Sequence, residues 1–67
     1  MTYQLDSEYI ELYKLIKLLD LVDSGGQAKQ LIENGLVYRN GEVETRKRAK
    51  IRPGETIHIG EVTIKTV

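Results

Sequence analysis

The dipeptide Asn40-Gly41 restricts the fold of this chain more than any other feature. Both central residues of a tight two-residue hairpin turn need a positive φ, and Asn-Gly is a pair that tolerates it. Strand-like runs flank the dipeptide at Leu36–Arg39 and Glu42–Thr45. The sequence therefore predicts an antiparallel hairpin at this point.

Further strands are predicted after this hairpin. Pro53-Gly54 marks a turn, and Glu55–Ile59 then alternates between apolar and polar residues. Gly60-Glu61 turns the chain again, and Val62 and Ile64 indicate a last strand. The second half of the chain should therefore form a small antiparallel sheet.

Two amphipathic helices are predicted before the hairpin, and a short strand is expected up to Leu5. The first helix should span about residues 8 to 19, where apolar residues recur at three- and four-residue spacings. Its apolar stripe comprises Ile10, Leu12, Tyr13, Leu15, Ile16, Leu18, Leu19 and Val22. The second helix should begin at Ser24, which forms a capping box with Gln27, and end at Asn34-Gly35. The linker is short, so the two helices should pack on each other.

This order of elements indicates one α+β domain over residues 1–67, with two packed helices against a small antiparallel β-sheet. The chain contains no cysteine, so its core has to consist of Leu, Ile, Val and Tyr. No apolar run approaches the ~20 residues of a membrane span. The opening segment MTYQLDSEY is acidic where a signal peptide would be basic. We therefore expect a soluble, cytoplasmic, free-standing protein without a membrane partner.

The formal net charge of zero hides a separation of charge along the chain. Residues 1–28 carry two lysines against five acidic residues, residues 29–52 carry seven cations against three, and residues 53–67 carry one against two. The cations of the middle segment are Lys29, Arg39, Arg46, Lys47, Arg48, Lys50 and Arg52. Such an excess indicates an anionic partner for this part of the molecule.

The stretch ETRKRAKIR holds most of these cations. If it is extended, alternation places Arg46, Arg48, Lys50 and Arg52 on one side at intervals of about 6.6 Å. Like charges in such a row repel one another unless an anion lies against them. The alternative is a solvated loop in which Glu42, Glu44 and Glu55 act as partial counterions.

The start of the second helix has a composition suited to anions. Gly25 and Gly26 lie in its first turn, where the absence of side chains lets an anion approach the exposed N–H groups. Lys29 follows one turn later. Alternatively, the two glycines only ease a tight turn between helices, and the local pattern favours neither interpretation.

Residues for catalysis are lacking. The one histidine, His58, is predicted in mid-strand opposite the isoleucines and facing solvent, and Ser24 is already assigned as a helix cap. No group of His, Asp and Glu has the spacing of metal ligands. We predict no enzyme activity, no catalytic residue, no metal site and no cofactor.

The segment SGGQAKQLIENGLVYRNGEVE resembles the signature of the S-four RNA-binding domain, which is named after a small-subunit ribosomal protein. The matching positions are Ser24, Ala28, Lys29, Leu31, Ile32, Gly35, Val37, Asn40, Gly41, Pro53, Gly54 and Glu55. The resemblance covers about residues 8–60. It is greatest to the small stand-alone bacterial members, which share Ser-Gly, Gln-Ala-Lys and Glu-Thr-Arg-Lys-Arg.

This resemblance implies two helices against a hairpin sheet and binding of structured RNA. The expected partner is ribosomal RNA or a ribosome-assembly intermediate, bound by a monomer. Family contacts, carried over by position, fall on Ser24, Gly25, Gln27, Lys29, Asn40 and Gly41. The chain departs from the family pattern in having Gly25 where an arginine is usual and Arg39 where an apolar residue is usual.

We expect Arg39 and the cations of residues 46–52 to offset the lost arginine. The predicted RNA-binding set is Ser24, Gly25, Gly26, Gln27, Lys29, Arg39, Asn40, Gly41, Arg46, Lys47, Arg48, Lys50 and Arg52. These cations should converge around the start of the second helix as one anion-binding patch.

Two other classes of protein compete with this prediction. One is a protein-interaction adaptor whose basic face meets an acidic protein partner. The other is a small β-grasp-like carrier, suggested by RPGETIHI, but such carriers end in Gly-Gly whereas this sequence ends Ile64-Lys65-Thr66-Val67.

Overall fold

Two helices pack against a five-stranded sheet in the computed structural model, which describes residues 1–67. The elements are β1 (Thr2–Tyr3), β2 (Ile10–Glu11), α1 (Leu12–Leu18), α2 (Gly25–Glu33), β3 (Val37–Arg39), β4 (Glu42–Val43), β5 (Lys50–Ile51), β6 (Thr56–Ile59) and β7 (Val62–Thr66). The strand order of the sheet is β1-β7-β6-β3-β4, and β2 pairs separately with β5. All pairs are antiparallel except β1 with β7. The predicted α+β arrangement is confirmed, with a sheet that is mixed rather than wholly antiparallel.

The core lies between the helices and the inner face of the sheet and is entirely aliphatic. Its buried residues are Leu12, Leu15, Ile16, Ala28, Ile32, Val37, Ala49, Ile51, Ile57 and Ile64. Ile57 of β6 and Ile64 of β7 are direct partners across the strands, and Val37 is opposite Ile59. The expectation that tyrosine contributes to the core was wrong: Tyr3 and Tyr13 are only partly buried against it, and Tyr9 and Tyr38 are exposed.

Helix α1 is shorter than predicted because the residues before it join a strand. Ile10 and Glu11 pair with β5, so the helix begins at Leu12 instead of near residue 8. The N–H groups of Leu12 and Tyr13 donate to the carbonyls of Ala49 (2.9 Å) and Lys47 (3.1 Å). No side chain caps this end of α1, and the loop before β5 satisfies the free N–H groups of the first turn instead.

The other end of α1 has an unusual residue in its closing turn. Asp20 has a φ of 57°, and its N–H donates to the carbonyl of Lys17 while the Leu21 N–H donates to Ile16. This is the Schellman pattern, in which glycine is the usual residue at the left-handed position. Leu18 was expected in the apolar stripe but is 55% exposed, because it lies on the side of α1 away from the core.

Helix α2 forms as predicted. The Gln27 N–H donates to the Ser24 Oγ at 3.2 Å, and the Gln27 Oε1 accepts from the Asp23 N–H at 2.7 Å. The helix ends with Gly35 at a φ of 76°, where the left-handed conformation closes the last turn. The positions of both ends of α2 are therefore set by side chains and glycine close to them in sequence.

The predicted hairpin is confirmed. Arg39 pairs with Glu42 across β3 and β4, which leaves Asn40 and Gly41 as the two turn residues, at φ values of 51° and 88°. Two positive φ values are what a type I′ turn requires. Neither helix of the molecule is long and apolar enough to cross a membrane.

Candidate nucleic-acid interface

Five cations line one open groove beside β5. The groove is formed by Arg39, Arg46, Arg48, Ala49, Lys50 and Arg52, and has a volume of about 530 Å³. We call it the basic groove. The side chains of Arg46, Arg48, Lys50 and Arg52 are exposed, whereas Ala49 and Ile51 are buried and fix the segment to the core.

The backbone of this segment is turned rather than fully extended. The Ala49 N–H donates to the Arg46 carbonyl at 3.1 Å, and only Lys50 and Ile51 pair as a strand. Of the two alternatives considered for residues 44–52, the structure therefore shows a turned loop and not a regular extended row. The turn forms because Lys47 and Ala49 supply carbonyls to the start of α1. The four exposed cations nevertheless face the same groove.

Arg39 lies at the inner wall of the basic groove and is held by carboxylates. Its Nε donates to the Glu55 Oε1 at 2.6 Å, its Nη1 donates to the Glu44 Oε1 at 3.2 Å, and its Nη2 donates to the Lys50 carbonyl at 2.9 Å. Its side chain is only 23% exposed. Arg39 therefore ties the hairpin to β5, and little of its hydrogen-bonding capacity faces solvent.

Glu44 is the main internal counterion of the groove. It is 8% exposed and accepts from the Arg46 Nη2 at 3.0 Å and from the Arg46 backbone N–H at 3.2 Å. The hydrogen bond from the Arg46 side chain, opposed by burial and supported by the bonds from the Arg46 backbone and Arg39, lowers the pKa of Glu44 to about 2. Glu44 is therefore ionised at neutral pH and holds Arg46 against the loop.

Glu55 organises the other end of the groove. Its Oε2 accepts from the Arg52 backbone N–H at 2.7 Å, and its Oε1 accepts from the Asn40 Nδ2 at 3.1 Å. Burial alone would raise the pKa of Glu55, but the hydrogen bonds from Arg39 and from the Arg52 N–H lower it. The counterion role considered for Glu44 and Glu55 is thus confirmed, while Glu42 joins no ion pair.

Asn40 and Gly41 form the turn of the hairpin, and Asn40 also bonds to β6. The Asn40 Oδ1 accepts from the Thr56 N–H at 2.9 Å, and the Asn40 N–H donates to the Thr56 carbonyl at 2.8 Å. Gly41 is exposed at the tip of the turn. Asn40 thus fastens the turn to β6, beside Arg39 and Glu55.

The charged groups of Arg48, Lys50 and Arg52 have no carboxylate within 4.0 Å. Two of them rest instead against Tyr9, with the Lys50 Nζ 5.1 Å and the Arg52 Cζ 5.9 Å from the ring centroid. The groove has five cations, and the two carboxylates that pair with them are Glu44 and Glu55, so its formal charge is +3. This surplus makes the groove attractive to a polyanion.

The start of α2 forms a second site, centred on Tyr13, in which Lys29 has no carboxylate partner and Lys14 pairs with Glu11 at 3.1 Å. The Lys29 Nζ lies 4.7 Å and the Lys14 Nζ 5.9 Å from the centroid of the Tyr13 ring, and Gly25 borders the same ring. The N–H groups of Gly25 and Gly26 have no acceptor within the protein. We call this the helix-start site.

The structure divides the single patch expected around the start of α2 into these two sites. Glu44 and Glu55 draw Arg39, Arg46 and the backbone of Arg52 toward the hairpin, and Lys47 points to Glu33 at 3.8 Å. The sites remain neighbours, because the Tyr13 N–H donates to the Lys47 carbonyl. Ser24 and Gln27 were also predicted to contact RNA, but their side chains form the hydrogen bonds that cap α2.

Sequence reasoning did not assign Tyr9 to this surface. The residue belongs to the acidic first part of the chain, and only the pairing of β2 with β5 brings it to Lys50 and Arg52. No local pattern indicated this position, because Ile10 and Glu11, which follow Tyr9, fit the predicted helix. No group of three or more His, Asp and Glu side chains is placed to hold a metal ion. His58 is half-buried, and its Nδ1 lies 3.1 Å from the Thr63 Oγ1.

Comparison with known proteins gives consistent matches over nearly the whole chain. The family model of the S4 domain matches residues 3–67. YbcJ of Escherichia coli (strain K12) is 42% identical over 59 residues, which make up 88% of this chain and 84% of that protein. RlbA of Bacillus subtilis (strain 168), whose name assigns it to ribosome maturation, is 34% identical over 82% of this chain and 78% of its own length.

Two solved structures share the fold. The solution structure of Escherichia coli YbcJ, described as having an αL motif involved in RNA binding, superposes with a TM-score of 0.75 at 40% identity and covers 98% of this chain and 85% of YbcJ. The crystal structure of the 30S ribosomal protein S4e from Thermoplasma acidophilum gives a TM-score of 0.71 at 24% identity. It covers 87% of this chain but 31% of S4e, so there the same fold is one part of a longer protein.

Proposed function

Because this chain belongs to the S4 domain family, we propose that it is an RNA-binding module whose basic groove receives the phosphates of a structured RNA. The whole of residues 1–67 would act as one non-enzymatic unit. The observation that carries the proposal is the row of Arg48, Lys50 and Arg52 in one groove without carboxylate partners. The αL motif of YbcJ, described as involved in RNA binding, supports it.

Binding would rest on charge and on positioning. Phosphates displace water and counterions from Arg46, Arg48, Lys50 and Arg52, and the release of counterions from RNA supplies much of the affinity. The helix-start site would take one further phosphate, through Lys29 and the N–H groups of Gly25 and Gly26. Arg39, Asn40 and Glu55 would act as positioning residues that hold the groove open rather than as direct contacts.

For the biological partner, we propose ribosomal RNA or a ribosome-assembly intermediate, met by a monomer in the cytoplasm. The name of RlbA, which refers to ribosome maturation, favours this class of RNA. Contacts to phosphates position a protein on RNA without reading its sequence. Selectivity would therefore come from the shape of the RNA and from its unpaired loops.

The salt dependence of RNA binding tests this mechanism. Five phosphate contacts should give a slope of log K against log salt near −4 between about 50 and 200 mM salt. Fluorescence anisotropy with a labelled ribosomal RNA stem-loop measures that slope. Affinity that does not change with salt would contradict the proposal, and capture of an acidic protein without RNA would favour the adaptor.

Paired charge-neutral variants locate the contacts. Arg48→Gln combined with Arg52→Gln should reduce the steepness of the slope by about 2, since each lost phosphate contact removes about 0.9. Lys65→Gln is the matched control, because Lys65 is exposed in β7, outside the basic groove and free of ion pairs. An unchanged slope in the double variant, or an equal change in the control, would exclude the basic groove as the contact surface.

A further inference from the structure

Tyr9 is an aromatic residue set among the cations of the basic groove. Its ring has the Lys50 Nζ at 5.1 Å and the Arg52 Cζ at 5.9 Å from the centroid, and the residue is 38% exposed. The β2–β5 register places Glu11 opposite Lys50 and Ile10 opposite Ile51. Continuing that register brings Tyr9 beside Arg52, at the border of the groove.

We propose that Tyr9 is the stacking site for an unpaired nucleobase of the bound RNA, with Lys50 and Arg52 contacting the phosphates that flank this nucleotide. The inference rests on the proposed RNA binding and adds to it a ligand class, a nucleotide whose base is free of pairing. It also assigns to the interface Tyr9, which precedes the signature segment of residues 24–44 in the sequence.

The expected effects on affinity favour stacking of a base on the Tyr9 ring over the contacts that cations make with it. A cation over an exposed aromatic ring contributes about a 2- to 5-fold effect, because water competes for it. Stacking of a base on an aromatic side chain changes affinity by about 5- to 150-fold. When RNA arrives, the base therefore replaces the cations on the ring, and the cations turn to the phosphates on either side of it.

The geometry also sets which RNA can use the site. Both faces of a base inside a duplex are covered by its neighbours, so only a base in a loop, a bulge or a single strand can stack on Tyr9. The phosphate contacts of the groove are available to duplex and single strand alike. Tyr9 would therefore give the module a preference for unpaired nucleotides over a continuous duplex.

A tryptophan probe tests stacking directly. The chain contains no tryptophan, so Tyr9→Trp introduces one reporter at the site. Tyr38→Trp is the matched control, since Tyr38 is similarly exposed at 42%, lies in β3 and has no cation over its ring. Titration with short single-stranded oligo(A) should quench the fluorescence of Tyr9→Trp and leave that of Tyr38→Trp unchanged.

Affinity measurements separate the stacking inference from the proposed function. Tyr9→Ala should weaken binding of oligo(A) about 5-fold or more, with binding of a blunt RNA duplex and the salt slope unchanged. Tyr9→Phe should bind as the unaltered protein does. Tyr9 lies outside the buried core, and circular dichroism checks that each variant is folded.

Salt-dependent RNA binding without quenching at position 9, or an equal loss for oligo(A) and duplex in Tyr9→Ala, would overturn the stacking site and leave RNA binding intact. Absence of any RNA binding by the unaltered protein would overturn both.

Discussion

Replacement of Glu44 by glutamine should remove an acid-sensitive contribution to the stability of this fold. Glu44 is 8% exposed and bonded to Arg39 and Arg46, and its pKa is lowered from 4.5 to about 2. At ~1.4 kcal/mol per pH unit, this lowering corresponds to about 3 kcal/mol of stability at neutral pH. The Arg46 side chain is 75% exposed, so water screens part of the interaction and we expect about 2 kcal/mol for Glu44→Gln.

The sign of the pH dependence follows from the direction of the pKa change. A carboxylate whose pKa is lowered by folding stabilises the protein above its unfolded pKa, and this contribution disappears as the pH falls through the folded pKa. The difference in the free energy of unfolding between the unaltered protein and Glu44→Gln should therefore be constant above about pH 5 and shrink toward zero near pH 2. Glu55, whose pKa is also lowered, adds a dependence of the same sign that both proteins share.

Urea denaturation followed by far-ultraviolet circular dichroism, at several pH values between neutral and about 2.5, measures this difference. A domain of this size has a total stability of roughly 3–5 kcal/mol, so the variant should remain folded at neutral pH. Glu42→Gln is the matched control, because Glu42 lies on the same hairpin, is exposed and joins no ion pair. A gap between Glu44→Gln and the unaltered protein that stays constant down to about pH 2.5 would refute the argument, because it would show that the lost stability does not depend on ionisation.

Substitutions at three further positions test local backbone features by urea denaturation. Asp20→Gly should raise the free energy of unfolding by about 0.5–1 kcal/mol, because Asp20 occupies the left-handed position that favours glycine; a loss of stability would contradict this. Gly41→Ala should lower it by about 1 kcal/mol or more through backbone strain alone, since an added methyl group meets nothing within 4 Å; unchanged stability would show that the turn relaxes. Ser24→Ala should lower it by about 1 kcal/mol, and Ser24→Gly by less, through loss of the bond to the Gln27 N–H; equal losses would argue against capping.

The elements that the sequence predicted well are those determined by near neighbours. Ser24 and Gln27 lie three positions apart and cap α2, while Asn40 and Gly41 form their turn without help from distant residues. In each case the side chain or φ value that fixes the structure belongs to the motif itself. Local chemistry was sufficient for these features, and the resemblance to the S-four domain depended on the same positions.

The features that sequence reasoning missed depend on distant pairing. Ile10 and Glu11 have a helical pattern, but the edge of β5 takes them into a strand, and no local signal encodes that competition. The positions of the cations also depend on distant residues, because Arg39 bonds to Glu55, which lies 16 positions later in the sequence. The sequence shows how many cations a segment carries. It does not show which of them form ion pairs with buried carboxylates in the folded protein.

The parallel pairing of β1 with β7 joins segments from the two extremes of the sequence. The Lys65 N–H donates to the Met1 carbonyl at 2.8 Å, and the Met1 amino group donates to the Thr63 carbonyl over a separation of 62 positions. Contacts this remote in sequence form late, because closing so long a loop costs entropy before any bond compensates for it. During synthesis, β1 therefore has no partner strand until β7 has emerged from the ribosome, so the sheet is completed late.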